Sequence, residues 1–404
     1  MITELSAGFL PLTDSAILIA AKERGFAEAE GIALDLVRET SWANVRDKLA
    51  VGQFEISHAL APMPIAANLG LTPFDTRLIA PMALGLGGNA ITVSNPLLAE
   101  MQSHGDFGGL DAKVAGDALA GVVNARKADG RKRLQFGVVH PFSGHNFELR
   151  YWLSGSGMRP EHDIEIVILP PSLMADALAT GQIDGYCVGE PWNSVGVAKG
   201  AGRIVTTKSS IWASSPEKVL AVREEWADRN TETLHALLRA LYRSAEWCGK
   251  PSNHADLAAV LGLPQYLAQP ADVILPALDG SILGAAASPS SPDFFQPHSR
   301  AATFPWQSHA LWFYSQMVRW GYVDHTAAHA EIARRSFRPD IYRTVLAGIG
   351  APVPSANSKV EGALKQTVAV GASSQFLYLG PDGFFDGAFF DPDRLDAYIG
   401  SQKA

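Results

Sequence analysis

Short apolar runs alternate with stretches of helical spacing along the first third of the chain. Residues 5–10 form an apolar run that predicts a strand. Asp14 has the chemistry of an N-cap for a helix to about Arg24, which Gly25 would stop. Residues 33–37 predict a second strand, and Ser41 caps a helix running to Leu49. A strand over 54–58, a helix over 64–69 and a strand over 76–81 continue the series. Strands and helices joined by such short connections predict parallel-dominated sheets with helices on both faces.

From about Asn89 to Val93 the chain leaves this unit, and residues 96–130 read as helical, rich in Gly, Ala and Asp. A second series follows: a strand over 134–138, a helix from Asn146, a strand over 164–169, a helix from Ser172 and a strand over 183–188. Near residues 209–217 the chain returns, with a strand over 219–222 and an amphipathic helix over 230–248. Residues 306–320 predict a helix with a heavy aromatic face. Ser288-Pro289-Ser290-Ser291-Pro292 has the composition of a surface loop, and residues 384–399 read as a tail packed on the surface.

One local pattern occurs twice, 129 residues apart without a gap. Leu49-Ala50-Val51-Gly52-Gln53-Phe54-Glu55 matches Leu178-Ala179-Thr180-Gly181-Gln182-Ile183-Asp184, and Pro62 stays in register with Pro191. Each copy reads as a helix end, a Gly stop, a short strand and a Pro opening the next helix. This pattern is also common helix-to-strand punctuation. Read as a repeat, it predicts two similar α/β lobes: residues 1–92 with 218–404, including a helical C-terminal extension, and residues 93–217. Two crossings make a two-strand hinge, and the cleft between such lobes is a natural place to close on a small ligand.

Composition narrows the function. A chain of 404 residues exceeds one compact core, and 47% hydrophobic with 18% charged residues describes an ordinary packed protein. The net charge of −8, without a marked basic block, disfavours direct nucleic-acid binding. Two cysteines, Cys187 and Cys248, offer neither a disulfide framework nor a spaced-Cys metal site, and both lie in apolar settings. No cofactor or metal is expected. No apolar run reaches membrane-spanning length. The start, Met1-Ile2-Thr3-Glu4, lacks the features of a secretion signal, so the expected location is the cytoplasm; a removed leader would look the same.

Four hydrogen-bond donors fall at loop or element ends, where a cleft would meet them: Trp42, Asn89, His145 and Lys218. Taken singly, each has an ordinary role as packing anchor, turn residue, helix cap or solvated charge. Taken together, with a helix N-terminus beside His145, they suit a small oxyanion that only accepts hydrogen bonds, and nitrate fits that description. Cys187 with His145 is the candidate pair for an enzyme, but no third group to orient the His is evident, and Tyr186-Cys187-Val188 reads as a buried strand.

Over nearly its whole length the chain resembles the nitrate- and bicarbonate-binding family of solute-binding proteins. The resemblance rests on Gly8-Phe9-Leu10-Pro11-Leu12-Thr13-Asp14, Ser41-Trp42-Ala43, His58-Ala59-Leu60-Ala61-Pro62-Met63-Pro64, His145-Asn146, Gly189-Glu190-Pro191-Trp192-Asn193, Pro216-Glu217-Lys218 and Leu311-Trp312-Phe313. It implies a type II periplasmic-binding-protein-like clamshell, with Trp42, Asn89, His145 and Lys218 as ligand residues. Asn89 departs from the family, where the crossover residue is typically Gln. Bicarbonate-binding relatives carry an acidic residue at the position of Lys218, so Lys218 implies nitrate or nitrite. The resemblance further implies a cytoplasmic nitrate/nitrite-sensor branch (NasS-type) that sequesters an RNA-binding antiterminator (an ANTAR-type response regulator). A transport receptor without its leader is the alternative.

Overall fold

The computed structural model describes residues 2–105, 109–282, 291, 293–371 and 376–402. Of the predicted Ser-Pro loop, Ser288, Pro289, Ser290 and Pro292 lie outside the described residues.

The first lobe is built from β1 (Thr3–Phe9), α1 (Ala16–Glu23), β2 (Ile32–Arg38), α2 (Trp42–Ala50), β3 (Ile56–Leu60), α3 (Pro62–Asn68) and β4 (Leu78–Ala83). The chain then enters the second lobe through β5 (Asn89–Ser94) and α4 (Asn95–Gln102). That lobe continues with α5 (Ala112–Ala128), β6 (Leu134–Val138), α6 (Gly144–Gly155), β7 (Ile164–Ile168), α7 (Met174–Ala179), β8 (Gly185–Gly189), α8 (Trp192–Ala198), β9 (Gly202–Thr207) and α9 (Lys208–Ile211). The return strand is β10 (Lys218–Arg223), followed by α10 (Thr231–Cys248). Further on, α11 (Gln307–Arg319) belongs to a mainly helical extension, which also carries the hairpin β11 (Val368–Gly371) and β12 (Phe376–Leu379).

Each lobe holds a five-stranded sheet, ordered β2-β1-β3-β10-β4 in the first and β9-β5-β8-β6-β7 in the second. In the first sheet β1 pairs in parallel with β2 and β3, while β10 runs antiparallel between β3 and β4. In the second, β6 pairs in parallel with β7 and β8, while β5 runs antiparallel between β8 and β9. The contrary strand in each sheet is therefore the one that has just crossed from the other lobe.

The 129-residue repeat extends through both sheets. Ala7 pairs with Ile56 as Phe136 pairs with Gly185, and Leu60 pairs with Lys218 as Gly189 pairs with Asn89. Asn89 and Lys218 are themselves 129 positions apart. The crossings thus place these two residues at matching points, each at the start of its contrary strand.

Several sequence expectations shift. The helix-like stretch over 96–130 divides into α4 and α5, because Ser94 and Asp111 each cap a separate start by accepting from Leu97 N and Val114 N. Strands β3 and β8 begin two residues later than expected, because the left-handed turns at Gly52 and Gly181 are followed by irregular backbone before pairing resumes. Asp14 is not the cap of α1. The helix begins at Ala16 after a 3-10 turn, and the Asp14 carboxylate turns inward to Lys218. The tail is more than surface cover: Phe384 stacks on Trp212 with ring centroids 4.5 Å apart, and Phe390 is fully buried.

Packing follows the expected periodicity where it was strongest. Helix α10 buries Leu234, Leu237, Leu238, Leu241, Tyr242, Ala245 and Cys248 along one face. The extension is fastened by a buried polar cluster in which Glu361 accepts from Ser308 at 2.6 Å and pairs with Lys359, which also holds Asp382 at 2.9 Å.

Candidate functional site

All four candidate donors converge between the lobes, and none exposes more than 1% of its surface. Trp42 and Lys218 come from the first lobe, Asn89 and His145 from the second. Ser41 accepts from Asn44 N at 3.2 Å and so sets Trp42 in the first turn of α2. Ser143 does the same for α6, accepting from Asn146 N at 3.0 Å and placing His145 at that helix start. Asn89 and Lys218 are delivered by the crossings.

Three of them, Asn89, His145 and Lys218, meet at a carboxylate that sequence reasoning did not single out. Glu217 accepts from Lys218 Nζ at 2.6 Å and from Asn89 Nδ2 at 2.8 Å, and lies 3.4 Å from His145 Nε2. It also pairs with Lys208. Gly144 is required for this approach, since a Cβ there would collide with Glu217 Oε2. Lys218 Nζ donates a second bond to Asp14 Oδ2 at 2.7 Å and lies 5.4 Å from the centroid of the Trp42 ring. His58, at the centre of β3, lies 2.9 Å from Asp14 Oδ1 and packs against Trp42. Beyond Glu217, Lys208 Nζ lies 2.8 Å from Glu148 Oε1 and donates to the Pro216 carbonyl at 2.7 Å.

The electrostatics follow from burial set against pairing. Burial pushes the Glu217 carboxyl up, but His145, Lys208 and Lys218 together outweigh it and hold it well below the usual range. Asp14 is likewise raised by burial and carried lower by Lys218 and His58. Burial, helped by the nearby ammonium groups and opposed by Glu217 and Asp14, drives His145 down to about 3 and lowers His58, so both imidazoles are neutral near pH 7. Glu148 goes the other way: burial raises it to about 8 against the pull of Lys208. Lys208 remains charged, since its two carboxylate neighbours overcome the burial that would lower it.

Several buried polar atoms here lack an aligned hydrogen-bond partner. They include Trp42 Nε1, Asn89 Oδ1, Thr13 Oγ1, Ser57 Oγ and both ring nitrogens of His58 and His145. Buried polar groups are normally satisfied, so this concentration of unsatisfied atoms, with the Trp42 N–H and one N–H of each neutral imidazole among them as donors, marks a place built to meet a polar ligand. The lobes also touch directly: Thr13 N donates to the Glu190 carbonyl at 2.7 Å and Trp192 Nε1 to the Pro11 carbonyl at 3.0 Å.

The sequence profile of the NMT1-like family matches residues 2–262. The chain belongs to the NMT1-like family. It is similar to the nitrate/nitrite binding protein NrtA of Synechococcus elongatus, 31% identical over 99% of this chain and 86% of that protein. It is 35% identical to the nitrate import ATP-binding protein NrtC of Synechocystis over 86% of this chain, spanning about half (50%) of that longer protein. The crystal structure of the periplasmic nitrate-binding protein NrtA from Synechocystis superposes with a TM-score of 0.85 at 25% identity, covering 100% of this chain and 99% of that one. The fold is the two-lobed periplasmic-binding-protein clamshell, mixed α/β throughout.

The relatives named are binding proteins and transport components, and the geometry disfavours thiol chemistry. Cys187 is buried in β8, where burial and the carboxylates of Glu148 and Glu217 raise its thiol well above the ordinary value, so no thiolate is available near neutral pH. Asp14, His58, Glu148, Lys208 and Glu217 escaped sequence reasoning for a common reason. A lone Asp at a helix start reads as a cap, and lone Lys or Glu residues near turns read as solvated. The available signals were His58 inside an apolar strand and Glu148 one turn after His145.

Proposed function

We propose that the chain binds nitrate or nitrite between its lobes, using Trp42, Asn89, His145 and Lys218. The observation that carries this reading is the convergence of these four buried side chains, two from each lobe, with unused donors on Trp42 and His145. A planar anion with three acceptor oxygens matches such a donor set, and contacts shared by both lobes favour the closed arrangement. The names of the similar proteins support the choice of anion. Isothermal titration with nitrate, nitrite and bicarbonate tests it. Saturable nitrate or nitrite binding that Lys218→Glu abolishes is the expected result, and binding of neither anion overturns the reading.

We further propose that closure is read in the cytoplasm, by an RNA-binding antiterminator of the ANTAR response-regulator type that is held in the absence of the anion and released in its presence. Linkage then requires the partner to weaken anion binding by the same factor that the anion weakens the complex. The names of the similar proteins equally support a transport receptor, whose closure a permease would read. Size-exclusion chromatography of the chain with the antiterminator separates the two. A complex that dissolves on adding nitrate supports the sensor, and the absence of any complex without nitrate overturns it.

A further inference from the structure

The buried cluster between the lobes contains three carboxylates, Asp14, Glu148 and Glu217, but two ammonium groups, Lys208 and Lys218. With neutral imidazoles and every carboxylate ionised, the cluster is one negative charge in excess before any anion arrives. Lys218 is not a spare cation, because Asp14 and Glu217 already share it. An entering anion would add a second uncompensated charge in a site closed to water, where like charges repel strongly.

One carboxylate is poorly placed to stay ionised. Glu148 follows His145 by one turn of α6 and is 1% exposed. Lys208 Nζ lies 2.8 Å from its Oε1 but off a hydrogen-bond axis, and neither oxygen receives an aligned donor. Lys208 spends its aligned bonds on Glu217 and the Pro216 carbonyl. A buried carboxylate held only by one shared, off-axis ammonium is costly, and a proton removes that cost.

We propose that Glu148 must carry a proton for the site to accept an anion, so that it sets the charge of the site through Lys208 and Glu217 without touching the ligand. This rests on the anion-binding reading above. With Glu148 neutral, two carboxylates balance two ammonium groups and one anion can be admitted. Loss of the proton returns the excess charge to Lys208, weakens the hold on Glu217, and sets Glu217 against the anion. The groups facing Glu148 are Lys208 from α9, Glu217 and Lys218 from the return crossing and the Cys187 thiol from β8, and His145 precedes it by three residues on its own helix. Arg150 on the same helix turns away to Asn146 and Glu161. Burial already raises Glu148 to about 8, which sets the window in which binding changes.

The test is nitrate titration of the full chain from pH 6 to 9.5, with Glu148→Gln alongside and nitrite and bicarbonate as companion anions. Wild-type affinity should be level to about pH 7.5 and then fall by up to about tenfold per pH unit above pH 8, while Glu148→Gln stays level throughout. Calorimetry of the native chain near pH 8, in buffers of different ionisation enthalpy, should report uptake of about half a proton per anion bound. That second readout does not depend on the variant folding. Equal pH profiles for wild type and variant, or no proton uptake near pH 8, overturn the inference and leave anion binding intact. A chain that binds none of the three anions at any pH overturns both.

Discussion

Asn89 Nδ2 donates to Glu217 Oε2 at 2.8 Å, joining the residue that opens the first crossing between the lobes to the last residue before the return strand. The bond ties the two hinge segments to each other at the same place where the candidate ligand residues meet. Structural and binding roles are therefore intertwined here, and the useful experiments separate them.

Trp42→Phe is the cleanest separation. The indole N–H has no aligned partner, while the ring packs against Lys218 and His58. Phe keeps an aromatic ring and removes the donor. Stability should change by less than about 1.5 kcal/mol. Nitrate affinity should fall about tenfold, the worth of one hydrogen bond at about 1.4 kcal/mol. A variant with undiminished affinity would remove Trp42 from the site.

Lys218→Met should do both kinds of damage. It leaves Asp14 without its ammonium partner and Glu217 with Lys208 alone, in surroundings where Lys218 itself is fully buried. Breaking a buried pair on one side costs about 3–5 kcal/mol. Urea unfolding at pH 7 should show that loss, and nitrate binding should vanish. Restored stability in the double variant with Asp14→Asn, without restored binding, would assign the stability effect to charge pairing.

Acid should loosen the C-terminal extension through Glu361. Burial raises this carboxyl, but Lys359 and His309 outweigh it and bring it to about 2, below its ordinary 4.5. A lowered folded value stabilises the protein above 4.5, and that contribution is lost as pH falls from 4.5 through 2. The lost contribution is about 3 kcal/mol. Glu361→Gln should therefore flatten the decline in unfolding free energy between pH 5 and pH 2. An acid limb as steep as the wild type's would contradict the assignment.

Phe384→Ala tests whether the tail is structural. The ring stacks on Trp212, which lies in the return segment between the lobes, and also faces Trp312 on α11 at 6.3 Å. Truncating a buried aromatic costs about 3–5 kcal/mol. Thermal unfolding should show a correspondingly large drop. A change below about 1 kcal/mol would return residues 384–399 to the surface role expected from composition.

The lobes and their order were legible because apolar periodicity, Gly stops and caps are local signals. Ser41 and Ser143 announce helix starts in the sequence and cap them in the structure. The repeat was visible at Leu49–Glu55 and Leu178–Asp184 for the same reason. Four donors could be named because each sits at an element end. Their common partner could not, because Glu217 differs from a solvated Glu only by what the fold brings to it from β5, α6 and α9. Asp14 was misread because cap chemistry and ion-pair chemistry use the same carboxylate. The charge excess was invisible for a related reason: a linear count gives −8 for the chain and says nothing of which charges are buried together.

The exchange of strands at the crossings also fixes an order of assembly during synthesis. Every strand of the second sheet lies within residues 89–207, so that sheet is complete in one continuous length of chain. The first sheet starts at Thr3 but has a gap between β3 and β4 until residues 218–223 have been made. The sheet whose first strands leave the ribosome first is thus the sheet that is completed last. Its closing strand is led in by Lys218, so completing the first sheet and bringing Lys218 to the candidate site are one event.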